Sequence, residues 1–252
     1  MELFFLFTLG TVFGSFFLVL GTRLPKNESI LKPGSHCDYC NQELKWYDLI
    51  PIISYLVNLG KCKYCKEKLS IIYPVVEIAT GLAFISSYLL FGIGYEFFAS
   101  LLIFSLLIII FITDFKYYII LDSPLVLTSI GIFALKWYYF GLKSALLALL
   151  SGLIMFIIVL VIKLFGDFLF KKESLGGGDI KLSFVLGVIL GIRLSLISFI
   201  LSSFLALPYA LGSAYLTEKK EVPFGPFIIS AATIVFIYMD KFTNLLDFFF
   251  KI

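Results

Sequence analysis

Apolar runs about as long as a bilayer is thick recur along this 252-residue chain and constrain its fold more than any other feature. They lie at about 2–20, 74–93, 96–113, 119–140, 144–165, 180–192, 194–216 and 224–239. Hydrophobic residues make up 60% of the chain and charged residues only 15%, against about 25% charged in soluble domains. A soluble fold of this size would carry more apolar surface than it could hide, so lipid is the solvent for most of the chain. That excludes a secreted disulfide scaffold, a disordered tail and an ordinary cytosolic enzyme. The expected class is an all-α polytopic membrane protein with about eight transmembrane helices.

The run at 2–20 has no basic start and no Ala-x-Ala cleavage site, so it reads as a retained helix. The weakest run is 180–192, which as a helix rises only about 20 Å against a hydrocarbon core of about 30 Å. It reads as a short, partly re-entrant helix with a turn at Gly191-Ile192-Arg193. Fusing it with 194–216 would bury Arg193 in the middle of one very long helix. The positive-inside rule then orients the chain. With the N-terminus outside and residues 22–73 in the cytosol, fifteen of the twenty Lys and Arg fall inside, Lys219 and Lys220 among them. Five fall outside, Lys251 among them, and Trp137, Tyr138 and Tyr139 sit where an outer aromatic belt belongs.

Residues 22–73 are the one long polar stretch and hold all four cysteines, as Cys37-x-x-Cys40 and Cys62-x-x-Cys65. Each such turn can give two thiolates to one ion, and four close a tetrahedron around Zn2+. A reducing cytosol favours metal over disulfides. A polar insert of about fifty residues has little core of its own without it. Four protein ligands leave no open position, so this small zinc-binding cytosolic insert reads as structural. His36, the single histidine, reads as a bystander, and a lone histidine in the polar stretch also argues against a Ser–His–Asp centre in the bilayer.

Acids within or beside apolar spans are costly, so each is a functional candidate by default. Glu77, Asp114, Asp122 and Asp179 qualify. Asp114 closes the third run, and Asp179 opens the sixth directly after Gly176-Gly177-Gly178. By the charge argument both lie at the cytosolic face. Two carboxylates held close share one proton. The ionised one can take a proton from water while the protonated one hydrogen-bonds a scissile carbonyl, which is aspartic-protease chemistry without metal or histidine. Glycines before Asp179 would let an extended substrate backbone come near, with no Cβ in the way. Plainer readings stand beside these. Asp179 could be only a helix N-cap, and the glycine triplet only a loop. Lys181 either tunes the pair or snorkels as an anchor. Asp122, with Pro124, either caps the fourth helix or assists the pair, and Glu77 has no role that the residues alone give.

In order along the chain, these motifs resemble the type IV prepilin peptidases, bacterial membrane aspartic proteases with a Gly-x-Gly-Asp motif. Gly14-Ser15-Phe16 and Arg23-Leu24-Pro25 look like the family's N-terminal signature, and the cysteine pairs like its cytosolic zinc domain. Asp48-Leu49-Ile50-Pro51 and Tyr73-Pro74-Val75-Val76-Glu77 fall in the expected places. Asp114 and Asp122 match the first aspartate motif, Gly176-Gly177-Gly178-Asp179-Ile180-Lys181 the second, and Pro223-Phe224-Gly225-Pro226-Phe227 a late motif. The resemblance implies Asp114 and Asp179 as the catalytic pair, supported by Gly176, Gly177, Gly178, Lys181, Asp122, Gly225 and Pro226. It implies Cys37, Cys40, Cys62 and Cys65 as ligands of a structural zinc. The implied division is a first transmembrane helix (1–21), a four-cysteine zinc-binding domain (22–73) and a multi-span aspartic peptidase domain (74–252).

The implied reaction is removal of short basic leader peptides from type IV prepilins and pseudopilins. Cleavage follows a glycine at the cytosolic side of a bacterial inner membrane, with the precursor's helix in the lipid bilayer; no nucleic-acid partner is expected. Many members also N-methylate the new terminus with S-adenosylmethionine, an activity associated with the N-terminal region. Here the family's asparagine after Gly-Ser-Phe-Leu is replaced by Leu18, the usual proline of the first knuckle is absent from Cys37-Asp38-Tyr39-Cys40, and Leu121 stands where a proline usually precedes the second aspartate of the first motif. Leu18 bears on methyl transfer more than on proteolysis, and no Gly-rich fingerprint for a methyl donor is readable. Three other readings compete: a peptidase without methyltransferase activity, a polytopic transporter binding cations at the same acids, and a non-catalytic zinc-bearing assembly factor.

Overall fold

The computed structural model describes residues 1–216 and 222–250, so Lys219, Lys220 and Lys251 of the charge count lie outside the described residues. Apart from two isolated β-bridges, the regular structure described is helical. The chain divides into two compact units, residues 1–92 and 93–252.

The first unit holds α1 (Glu2–Arg23), the short α2 (Ile53–Val57) and α3 (Ile72–Phe91). A Cβ built on Gly10 would lie 2.8 Å from the Gly81 Cα, and one on Gly14 2.7 Å from the Thr80 Oγ1. Gly10-x3-Gly14 therefore lets α1 and α3 meet backbone to backbone, the small-residue contact that helices use in lipid, where no hydrophobic drive separates them from solvent. At the end of α1, the Arg23 guanidinium donates to the carbonyls of Ser29 (3.2 Å), Pro33 (2.8 Å) and Gly34 (2.9 Å). One charged side chain thus folds the chain back on itself where it leaves the apolar helix.

The second unit holds α4 (Tyr95–Tyr117), α5 (Asp122–Phe170), α6 (Gly177–Leu216), α7 (Gly225–Ile237) and α8 (Met239–Phe250). Straight helices with the 49 residues of α5 or the 40 of α6 would run about 74 and 60 Å, far beyond one bilayer crossing. Each is broken by a glycine in a conformation that other residues rarely adopt, Gly141 at φ 82° and Gly191 at φ 75°. The turn that the sequence places at Gly191-Ile192-Arg193 is thus a real break. The Lys136 ammonium of α5 donates to the carbonyls of Val188 (2.8 Å) and Ile189 (3.2 Å), in the last turn before Gly191. It supplies donors that the interrupted helix cannot. Leu182, Val185, Leu186 and Val188 of α6 are completely buried, as are Ile228 and Ile229 of α7.

Among the described residues, five helices are long and apolar enough to cross a membrane: α1, α3, α4, α5 and α6. The α7–α8 pair, bent by 83°, raises the number to six. The sequence suggests about eight because it divides each of α5 and α6 into two runs, at the same places where Gly141 and Gly191 break them, whereas each broken helix counts once among the five.

Where α5 and α6 cross, a Cβ on Gly187 would lie 2.6 Å from the Gly152 Cα. Gly187→Ala should therefore cost about 1–3 kcal/mol of stability. Gly212→Ala, whose Cβ would meet nothing within 4 Å, should leave stability unchanged or slightly raised. Thermal unfolding of both variants in the same detergent makes the comparison.

Candidate active site and candidate metal centre

Asp114 and Asp179 are both buried, at 5% and 8% exposure, and lie near enough to interact electrostatically. Each is fixed by one backbone donor. The Gly225 N–H, at the start of α7, donates to the Asp114 Oδ2 at 3.1 Å. The Gly176 N–H donates to the Asp179 Oδ2 at 3.2 Å. Both N–H groups are helix-start donors with no partner in their own helix, and a carboxylate suits them in charge and direction. Neither Oδ1 carries a hydrogen bond among the described residues.

The helix begins at Gly177, so Asp179 is its third residue and reaches back to the residue before it, as in half of a capping box. The N-cap reading of Asp179 is therefore corrected in position, and the glycine triplet is part loop and part first turn. Its glycines differ. A Cβ on Gly178 would lie 2.8 Å from the Ile120 Cβ, whereas one on Gly177 would meet nothing within 4 Å. Ile120 also packs on Gly225, where an added Cβ would lie 2.7 Å from its Cδ1 and 2.9 Å from the Asp114 Oδ2. Only Gly177 fits the expectation of open space before the aspartate. Gly178 and Gly225 are small because Ile120 fills the gap between their helices, and Pro226 sits in the first turn of α7, where a missing N–H is harmless.

Asp122 and Lys181 pair with each other, Lys181 Nζ to Asp122 Oδ1 at 2.7 Å. Asp122 begins α5 without capping it, the preceding Leu121 being the cap position. Both side chains are more than half exposed. Lys163, unmarked in the sequence beyond its charge, interacts electrostatically with Asp179 and pairs with Glu173 at 2.8 Å. The Asp167 carboxylate accepts from the Ser174 N–H at 2.6 Å. These contacts fold the segment before the glycines onto the end of α5. The Tyr117 hydroxyl, one turn beyond Asp114, is buried with no hydrogen-bond partner among the described residues.

Glu77 acquires a role in the first unit. It is buried and accepts from the Ile52 N–H at 2.7 Å, and it also hydrogen-bonds Ser15 of α1. The sequence could not show this, because one partner is a backbone group.

The four cysteine Sγ atoms lie within 4.8 Å of one another, with Cys37 and Cys65 at 3.8 Å. A tetrahedral ion with bonds of about 2.3 Å sets its ligand sulfurs about 3.8 Å apart, so the cluster can hold one metal ion. The knuckles repeat the same local hydrogen bonds: Cys37 N–H to Gln42 O with Asn41 N–H to Cys37 O, and Cys62 N–H to Glu67 O with Lys66 N–H to Cys62 O. Asp48 lies against the second knuckle, accepting from the Tyr64 hydroxyl at 3.0 Å and pairing with Lys63. Desolvation pushes the Cys62 thiol up, but the Cys65 and Tyr64 N–H groups outweigh it and bring it down to about 7. At Cys65 the Glu67 N–H pulls downward, yet desolvation and the neighbouring thiols push it up to about 12. The first negative charge opposes the next, which a bound cation would relieve. His36 bonds the Gly34 carbonyl and is not part of the cluster.

Two family models match the chain, "Bacterial Peptidase A24 N-terminal domain" over residues 8–91 and "Type IV leader peptidase family" over 101–211. A prepilin leader peptidase/N-methyltransferase of Bacillus subtilis is 31% identical, over 98% of this chain and 97% of its own. One from Vibrio cholerae is 32% identical over 89% and 92%. One from Neisseria gonorrhoeae is 31% identical over 84% and 74%. No solved structure matches at a comparable level.

Because the Asp122–Lys181 pair is solvated, Lys181→Met, Asp122→Asn and the double variant should each lower stability by no more than about 1 kcal/mol. A double-mutant cycle of thermal unfolding measures the coupling.

Proposed function

The chain belongs to the type IV leader peptidase family, and we propose that Asp114 and Asp179 are the catalytic pair with which it cleaves prepilin and pseudopilin leaders. The observation that carries this reading is the joint burial of two interacting carboxylates, each held through one oxygen by a helix-start N–H and each presenting the other. One carboxylate takes a proton from water as its oxygen attacks the scissile carbonyl, and the other gives its proton to the carbonyl oxygen. As the tetrahedral intermediate collapses, one of its hydroxyls returns a proton to the second carboxylate, the C–N bond breaks, and the leaving nitrogen takes up the proton removed from water, so that both carboxyl groups end as they began. Gly177, with nothing near its missing Cβ, is where the leader's backbone would come closest. Cleavage after a glycine fits the same reading.

Counting α5 and α6 as two crossings each, across Gly141 and Gly191, gives eight apolar crossings with α1, α3, α4 and α7. The distribution of basic residues then favours residues 22–73 and both aspartates on the cytosolic side of the inner membrane, with the N-terminus outside. Cys37, Cys40, Cys62 and Cys65 hold one structural zinc, a reading that rests on the closeness of their four Sγ atoms, all within 4.8 Å of one another. When bound, it would supply cross-linking of the two knuckles and no chemistry to the peptide.

Methyl transfer is a second reading, favoured by the names of the relatives. Leu18 is buried within α1 and offers no polar group at the position where the family carries an asparagine.

The test is co-expression with a prepilin and mass spectrometry of the pilin N-terminus. Asp114→Asn and Asp179→Asn, at unchanged expression, should each lower cleavage at least about a hundredfold; parent-rate cleavage by either variant overturns the pair. A gain of about 14 Da on the mature pilin shows methylation, and its absence leaves a peptidase alone. Metal analysis of the purified chain should find one zinc per chain, lost in the Cys62→Ser variant.

A further inference from the structure

The polar insert carries a run of large apolar side chains that nothing among the described residues covers. Ile53, Leu56, Val57 and Leu59 are 58%, 64%, 76% and 85% exposed, and Trp46 is 78% exposed. Five such residues within fourteen positions, flanked by lysines on both sides, are not a soluble surface. Their depth is fixed by Glu77. Five residues into α3, it lies about 8 Å past the start of a helix that is apolar enough to cross a membrane. It holds the Ile52 N–H at 2.7 Å, and Ile52 immediately precedes α2. The first residue of α2 is therefore held at the level of the first turns of a membrane span. At that level the first turn of α3 itself exposes Ile72 and Tyr73.

We propose that Ile53–Leu59 is seated in the interfacial layer of the bilayer, on the leaflet where α1 ends and α3 begins, with Trp46 at its rim. The continuity with two spanning helices favours lipid as the occupant. So does the flanking charge: Lys45, Lys61, Lys66 and Lys68 are exposed, which suits anionic headgroups. Trp has the amphipathic ring that collects at this layer. Glu77 is then a positioning residue for the insert, setting the depth at which α2 enters. The two cysteine knuckles are consequently held against the membrane surface and do not hang free in solvent.

The full chain is reconstituted at one copy per nanodisc in phosphatidylcholine with phosphatidylglycerol, with and without acyl chains dibrominated near the headgroup. The chain has two tryptophans, so Trp137→Phe leaves Trp46 as the sole emitter. A second probe is Val57→Trp in a Trp46→Phe, Trp137→Phe background. Both probes should emit blue-shifted from water-exposed tryptophan. Brominated lipid should lower the Val57→Trp emission at least twofold, with acrylamide quenching weaker than for free tryptophan. If the Val57→Trp probe ignores brominated lipid, or if Trp46 is as open to acrylamide as free tryptophan, the seating is wrong. Shielding that appears only in discs holding two copies would assign the surface to a second chain and also overturns it.

Discussion

The hydrogen bond between the Gly225 N–H and the Asp114 carboxylate joins the end of α4 to the start of α7, and the geometry of the second unit depends on it. A charge-assisted bond of this kind contributes roughly 1.5–3 kcal/mol, and without it a buried helix-start donor and a buried carboxylate would both be short of a partner. Its 3.1 Å length requires that position 225 carry no side chain, because a Cβ would sit 2.9 Å from the same oxygen. The space beside it is filled by Ile120, whose other side packs on Gly178, one residue before Asp179. One isoleucine therefore transmits the placement of one aspartate to the other. The proposed chemistry needs two carboxylates held together in an apolar setting, and this small packing cluster is what resists their repulsion.

How much of this was legible in the sequence depended on whether the signal was a cost or a fit. Acids in lipid are costly, so Asp114 and Asp179 stood out by their surroundings alone, and the cysteine spacing stood out because an ion's tetrahedron demands it. The break at Gly191 could be read because Arg193 follows within two residues. Ile120 gave no signal, being one apolar residue in a chain that is mostly apolar. Lys163 gave only a charge, since its pairing with Glu173 depends on a loop folding back over ten residues. Glu77 was visible as an anomaly without an explanation, because its partner at Ile52 is a backbone N–H. The functional and capping readings of Asp179 were posed as alternatives, yet they are compatible: one oxygen serves the helix start, and the proposed chemistry needs only the other.

The three glycines before Asp179 separate tasks that the motif presents as one. Gly176 donates the N–H that holds the carboxylate, Gly178 admits Ile120, and only Gly177 opens onto unfilled space. A motif defined by residue type cannot distinguish a glycine needed by its own fold from one needed by a substrate, although each lacks a Cβ for a different neighbour.

The depth of Asp179 follows from the break in α6. From Gly177 to the break at Gly191 the helix rises about 20 Å, short of a hydrocarbon core of about 30 Å, so hydrophobic matching cannot set its position. At its far end Val188 and Ile189 are buried in the protein. Lys136 reaches across from α5 to bind their carbonyls, and the cation suits the negative end of that short helix. At the near end, Asp179 is tied to the Gly176 N–H and the preceding loop is pinned to α5 by Lys163 and Asp167. Polar fixtures at both ends, most of them made by α5, take the place of hydrophobic length. The helix is thus registered against α5, and a change in bilayer thickness that would tilt a full-length span has less purchase on the depth of the carboxylate.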